Sequence, residues 1–275
     1  MKTIITIMFL CVYNFAAAQE VIDAAYLKCS YEYKWEFDTL SHKDVRNDIL
    51  YLQIGKHASK CFSYYTYQCD SLRAAPNGDK EWRRLFFAAM KKEGDIPESF
   101  PHHRMTTCVY KSHPTGKVTV TDFLMGDYYA YEEEMNSQSW DIEDSVKTIM
   151  GHECQKAVSN FRGRQWTAWF ASDIPVSDGP WKFAGLPGLI MEVYDHNRQQ
   201  YFVINGLQKI SNEPIQFVIY NKKFKKLIKT DRLNFLKSES NYLHNQSSIN
   251  EAATGISLGS GTGTIHYDLI ERDYK

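Results

Sequence analysis

An α+β fold, mainly antiparallel, in which a long curved sheet wraps one or two helices like an open barrel, is what this sequence predicts. Three observations lead there: apolar residues alternate with period two in many short runs, aromatic side chains are abundant, and only two stretches show helical spacing. The chain carries 18 Tyr, 15 Phe and 6 Trp in 275 residues, enough ring area for a sizeable core and a composition that favours strands over helices.

Leu27, Cys29, Tyr31, Tyr33, Trp35 and Phe37 recur at every second position and open the fold with a half-buried strand. Asn47 to His57, with Ile49, Tyr51 and Ile54, and the aromatic run Cys61 to Tyr67 read as two further antiparallel strands. Asn77-Gly78-Asp79 then offers a turn and a cap, after which Trp82, Leu85, Phe86 and Ala89 fall at helical spacing. The predicted helix covers Lys80 to Glu93, and Gly94 closes it. Beyond the breaks at Pro97 and Pro101, strands are expected near Met105 to Tyr110, Lys117 to Leu124, Tyr128 to Glu134 and Trp140 to Ile149. Gln165 to Phe170 places Trp166 and Phe170 on one side and Trp169 on the other, so both faces of that strand are expected to be covered. Leu189 to Tyr194, Tyr201 to Leu207 and Ile215 to Tyr220 complete the strands, and Thr230 caps a short helix carrying Leu233 and Leu236. Gly, Ser and Thr dominate Ala253 to Thr264, which reads as a loop before a last segment at Ile265 to Ile270.

The N-terminus reads as an export signal. Lys2 supplies a cationic start, Thr3 to Phe15 is mostly apolar, and Ala16, Ala17 and Ala18 form a small-residue cleavage site. The apolar run is shorter than the roughly 20 residues a membrane-spanning helix needs, and the bulky Met8, Phe9 and Leu10 argue against acylation at Cys11. Residues 1–18 are therefore a cleavable signal peptide and 19–275 one sheet-rich domain, destined for the periplasm or envelope surface. Lys plus Arg (32) nearly balances Asp plus Glu (33), which favours neither nucleic acid nor bulk membrane binding, and no later segment has the length of a transmembrane helix.

Signal removal leaves Cys29, Cys61, Cys69, Cys108 and Cys154, an odd set in a compartment that permits disulfides. One or two bridges plus a buried thiol are expected. Cys154 is the candidate nucleophile, with His152 two residues before it and Arg162 and Arg164 following, since nearby cations lower a thiol pKa. His102, His103 and Cys108 are candidate metal ligands by residue type, without an established ligand spacing. The run Lys222, Lys223, Lys225, Lys226 and Lys229 is a basic face suited to solvent or to anionic headgroups. No phosphate-cradling P-loop occurs, and no cofactor is implied.

Gly185-Leu186-Pro187-Gly188-Leu189-Ile190 has a plain backbone reading: Pro187 and Gly188 are the central pair of a type II turn, Gly188 takes the positive φ, and the following apolar ribbon enters the core. Upstream stand Cys154, then Phe161-Arg162-Gly163-Arg164-Gln165-Trp166, Ala168-Trp169-Phe170, Asp173-Ile174-Pro175 and Gly179-Pro180-Trp181-Lys182-Phe183. Together these motifs resemble the GLPGLI family from about Trp140 to Asp195. The resemblance implies an exported, sheet-rich envelope protein of unknown function and brings no catalytic residues. The leading expectation is a non-catalytic protein that binds an envelope ligand or protein partner, in its sharpest form a carrier of apolar ligands. The alternatives are a thiol- or histidine-dependent enzyme and a structural subunit of an envelope assembly. A continuous aromatic cleft would support the carrier, whereas a concave face plugged by the Lys80 to Glu93 helix would sink it.

Overall fold

The computed structural model describes residues 20–40, 45–93, 100, 102–135, 138–217, 227–254 and 267–275. The predicted signal peptide, most of the lysine run and most of the Gly/Ser/Thr-rich tail lie outside the described residues.

Among the described residues, twelve strands form one sheet. In chain order they are β1 (Glu20–Glu36), β2 (Val45–Gly55), β3 (Ser59–Ser63), β4 (Cys108–Lys111), β5 (Lys117–Leu124), β6 (Asp127–Glu134), β7 (Asp141–Ile149), β8 (His152–Phe161), β9 (Arg164–Ala171), β10 (Leu189–Asp195), β11 (Gln200–Phe217) and β12 (Leu227–Lys229). Their spatial order is β12-β6-β5-β4-β3-β2-β1-β11-β10-β9-β8-β7. All pairings are antiparallel except β12 on β6. The sheet remains open, ending at β12 and β7, yet it bends far enough that Arg162, in the β8–β9 turn, forms an ion pair with Glu133 in β6. The predicted fold class is therefore the observed one.

Among the described residues, three helices accompany the sheet: α1 (Tyr64–Ala74), α2 (Gly78–Glu93) and α3 (Arg232–Thr254). The first corrects the second half of the strand expected at Cys61 to Tyr67: Cys61 to Ser63 lie in β3, and the helix begins at Tyr64. Ser63 caps it, its Oγ accepting from the Thr66 N–H at 3.1 Å, and that local bond overrides the strand preference of three tyrosines. α2 begins two residues before its predicted start and packs on α1, where Arg73 reaches Asp79 at 2.9 Å, rather than against the sheet. The short helix expected after Thr230 begins at Arg232, and helical backbone continues to Thr254 across a kink at Asn245 (φ -115°, ψ 15°). Strand β8 was not anticipated. Its buried positions are Cys154, Ala157, Ser159 and Phe161, mostly small, so its apolar signal is weak. Tyr201 to Leu207 and the start of the Ile215 to Tyr220 segment belong to the single long strand β11.

Two-residue turns join three of the hairpins. Met125-Gly126, Met150-Gly151 and Arg162-Gly163 each have positive φ at both residues, the requirement of a type I′ turn whose twist matches that of paired strands. The Leu-Pro-Gly turn differs from expectation. The positive φ (+93°) belongs to Gly185, whereas Gly188 lies where a Cβ would come 2.2 Å from the carbonyl oxygen of Ala171. Gly188 is required by close backbone packing between the end of β9 and the start of β10.

The concave face is filled by the connection from β9 to β10, residues 172–188. Trp181 and Phe183 are buried against Phe161 and Trp166, with Trp166 and Phe183 in edge contact at 4.6 Å. Across the sheet, the Trp181 N–H reaches the Cys61 sulfur on β3 at 3.2 Å. Lys111 on β4 pairs with Asp178 and donates to the carbonyls of Gly179 at 2.6 Å and Phe183 at 3.0 Å. This strap ties the two halves of the sheet together from within.

Candidate functional site

The cysteines do not form the expected bridges: Cys29, Cys61, Cys69, Cys108 and Cys154 are all free thiols. Register explains this. Cys29 pairs with Leu52 and Leu52 with Cys61, so the two sulfurs share a row but sit two strands apart, roughly 9–10 Å between Cα atoms against the ~7 Å limit for a disulfide. Cys61 pairs with Val109, so the adjacent Cys108 faces the other side of the sheet.

Cys154 is fully buried on β8, its thiol donates to the backbone carbonyl of His152 at 3.5 Å, and burial pushes its pKa up to about 11. The His152 ring turns away to Asp173, with Nδ1 2.7 Å from a carboxylate oxygen. The conditions for a nucleophilic thiolate, exposure and an adjacent imidazole, are not met here. In the folded protein at pH 8, iodoacetamide is expected to leave Cys154, Cys29 and Cys61 unlabelled, because burial holds the latter two thiols up to about 12. Unfolding in urea should expose all three, and peptide mass spectrometry reads the difference; rapid labelling of Cys154 in the native state would restore the thiol reading.

The candidate metal ligands are likewise separated. His102 Nδ1 lies 2.7 Å from the Phe100 carbonyl, and His103 Nε2 lies 2.7 Å from Asp70 on α1. Cys108 begins β4. No group of three or more His, Cys, Asp or Glu side chains placed to hold a metal ion occurs among the described residues. Burial alone would lower the His103 pKa, but the hydrogen bond to Asp70 and the neighbouring Cys69 sulfur raise it to about 10, and the contact with Asp70 ties His103 to α1.

The family-motif residues are built into the interior. Arg164 is buried and donates to Asp195 and Asp268 at 2.6 Å each and to the carbonyls of Leu269 and Ile270 at 2.8 Å each. Gly163 approaches Arg272 and Asp273 so closely that a Cβ there would lie 2.9 Å from both. Trp166 is buried, and Trp169 lies partly buried under Lys147, whose Nζ is 4.4 Å from the ring centroid. Pro180, Leu186, Leu189 and Ile190 are buried, whereas Gly185 and Pro187 face solvent.

Lys182 forms a buried ion cluster. Its ammonium is held by Glu133, Glu271 and the Tyr131 hydroxyl, and Arg162 and Arg232 join the same carboxylates together with Asp273.

Beside this cluster lies a cavity of about 230 Å³. One wall is aromatic: Tyr33 and Trp35 at the end of β1 stack at 4.7 Å, and Phe37 meets Tyr267 edge-on at 4.7 Å. Another is carboxylic. Asp122 on β5 accepts from the hydroxyls of Thr106 and Thr107 at 2.5 Å each and from the Phe123 N–H at 2.7 Å. Glu239 on α3 accepts no hydrogen bond from any described residue. Burial raises both carboxyls, Glu239 to about 8, with Asp122 and Glu271 adding to its shift and Lys182 opposing it. Arg46 lies on the Phe37 ring at 3.2 Å and Arg104 on Tyr65 at 3.7 Å. Sequence reading missed this site because its walls come from β1, β2, β5, α3, residues 104–107 and 267–270, and only the aromatic alternation of β1 marked any of it. A larger depression of about 450 Å³ beside α2, lined by Arg73, Asn77, Lys80 and Arg83, has no aromatic wall.

Fold and site define an open antiparallel sheet with an internally strapped concave face and one aromatic, acid-bearing cavity. A family model described as a protein of unknown function (Porph_ging) matches residues 159–192, the end of β8 through the strap into β10. That description differs from the GLPGLI name suggested by the motif. No curated protein matches the chain. Among solved structures, two crystal forms of PNGF-II are similar at 12% identity and a TM-score of 0.47; the matches cover 78% and 77% of this chain and 33% and 32% of that protein. The chain thus spans about a third of the length of that protein. No helix among the described residues is long and apolar enough to cross a membrane.

Proposed function

We propose that this chain is an exported, GLPGLI-type envelope protein that binds a small ligand in the cavity between β1, β5 and α3. The observation that carries the reading is a cavity whose wall joins stacked rings to a carboxyl without a hydrogen-bond donor, Glu239. Apolar burial and a few convergent polar groups are the usual ingredients of a ligand site. An apolar carrier is less well supported, because the strap occupies the concave face that such a carrier would leave open. At about 230 Å³ the cavity lies below the ~300–1,000 Å³ of drug-sized pockets, so the ligand is small.

The test is to purify the protein from its native envelope and analyse it intact by mass spectrometry. The expected result is an N-terminus at Gln19 and a bound small molecule that the variant Leu243→Trp, which fills the cavity from its α3 wall and is still folded by circular dichroism, does not carry. An unprocessed N-terminus would overturn export. Identical cargo, or none, on wild type and variant would overturn the ligand site.

A further inference from the structure

We propose that the outer face of α2 docks on an anionic lipid surface. This surface is separate from the ligand cavity, and the proposal does not depend on that reading. Helical spacing defines the face. Lys80, Arg84, Phe87 and Lys91 stand four, three and four residues apart and form one stripe, with Arg83 and Met90 beside it. All six are exposed, Phe87 by 67% and Met90 by 39%. The other side of the helix is already in use: the rings of Trp82 and Phe86 lie 5.4 and 5.9 Å from that of the buried Phe100. Phe87 therefore stands in water among four cations and takes no part in the contact that seats the helix.

The chain as a whole is nearly neutral, but α2 is not. Lys80, Arg83, Arg84, Lys91 and Lys92 outnumber Asp79, Glu81 and Glu93. Two of those carboxylates are engaged, Asp79 by Arg73 at 2.9 Å and Glu81 by Arg84 at 2.6 Å. Lys80, Arg83 and Lys91 make no ion pair with any described residue. At the first turn of the helix the stripe runs into the depression of about 450 Å³, where Arg73, Lys80 and Arg83 stand against the single carboxylate of Asp79. Unpaired cations around a projecting ring complement a bilayer interface, in which lipid phosphates meet Lys and Arg while the ring enters the acyl boundary. A soluble polyanion would engage the cations and leave Phe87 and Met90 in water. An apolar groove on another protein would take the ring and strand the charges.

Co-sedimentation of the purified mature protein with vesicles of phosphatidylcholine, alone or with about 30% phosphatidylglycerol, tests this. Binding to the phosphatidylglycerol vesicles is expected to be roughly tenfold or more tighter than to phosphatidylcholine alone, and to weaken as salt is added. Phe87→Ala should reduce it roughly tenfold. The double variant Arg83→Gln, Lys91→Gln should reduce it roughly 30-fold, about fivefold for each charge. All three side chains are exposed, so the thermal melts of both variants should match that of wild type and any loss reports on docking alone. No binding to either vesicle, equal binding to both, or binding indifferent to Phe87→Ala would overturn the proposal. The last of these, combined with loss in the double variant, would assign the face to a soluble polyanion instead.

Discussion

Lys182→Ala is expected to destabilise the protein by about 3–5 kcal/mol, the range for removing one partner of a buried ion cluster. Lys182 has 3% of its side chain exposed, and the carboxylates it holds, Glu133 and Glu271, have 7% and 2%. Without the ammonium, Arg162 and Arg232 must compensate both carboxylates and Asp273 as well. The cost arises from stranded negative charge, so the double variant Lys182→Met, Glu271→Gln should recover a large part of the loss; such non-additivity is expected for groups in direct contact. Urea unfolding of the three proteins measures both effects. A loss below about 1 kcal/mol for Lys182→Ala, a value ordinary for exposed pairs, would show that the cluster does not behave as buried.

Gly188→Ala should cost at least the upper end of the ~1–3 kcal/mol that overpacking a core exacts. The new methyl would lie 2.2 Å from the Ala171 carbonyl oxygen and 2.7 Å from its carbon, both backbone atoms of β9 that cannot swing aside. Gly185→Ala is the matched control. Its obstacle is a left-handed backbone with φ +93°, and the nearest atoms to an added Cβ are those of Trp140 at 3.8 Å, so the expected cost is only the ~1–2 kcal/mol of that conformation. The order Gly188→Ala worse than Gly185→Ala, read from thermal melts, separates close packing from turn geometry; the reverse order would reinstate the type II turn at Pro187-Gly188.

Much of the sheet was legible because one-sided burial writes itself as alternation. Leu27, Cys29, Tyr31 and Tyr33 are buried and the residues between them less so. Local hydrogen bonding hid α1: a single serine hydroxyl at Ser63 turned an aromatic run into a helix. β8 was hidden by small side chains, and its turns by Met and Arg standing where Asn or Asp would have announced a type I′ hairpin. The motif was visible as a string, but its role was not. That Gly188 serves packing and Lys182 a buried charge depends on partners from β9, β6 and residue 271. The cavity lay further from view, since Asp122 and Glu239 are 117 positions apart and each is unremarkable in its own segment.

The clamp at residues 268–273 imposes an order of events on synthesis. Arg164 and Lys182 sit mid-chain, but their counter-charges at Asp268 and Glu271 emerge roughly a hundred residues later. A nascent chain that has built β1 to β11 has the ring and Lys111 contacts that seat the strap, but it still holds these two cations with only part of their counter-charge, Asp195 for Arg164 and Glu133 for Lys182. The charge balance of the interior is therefore completed last, by the final residues to emerge.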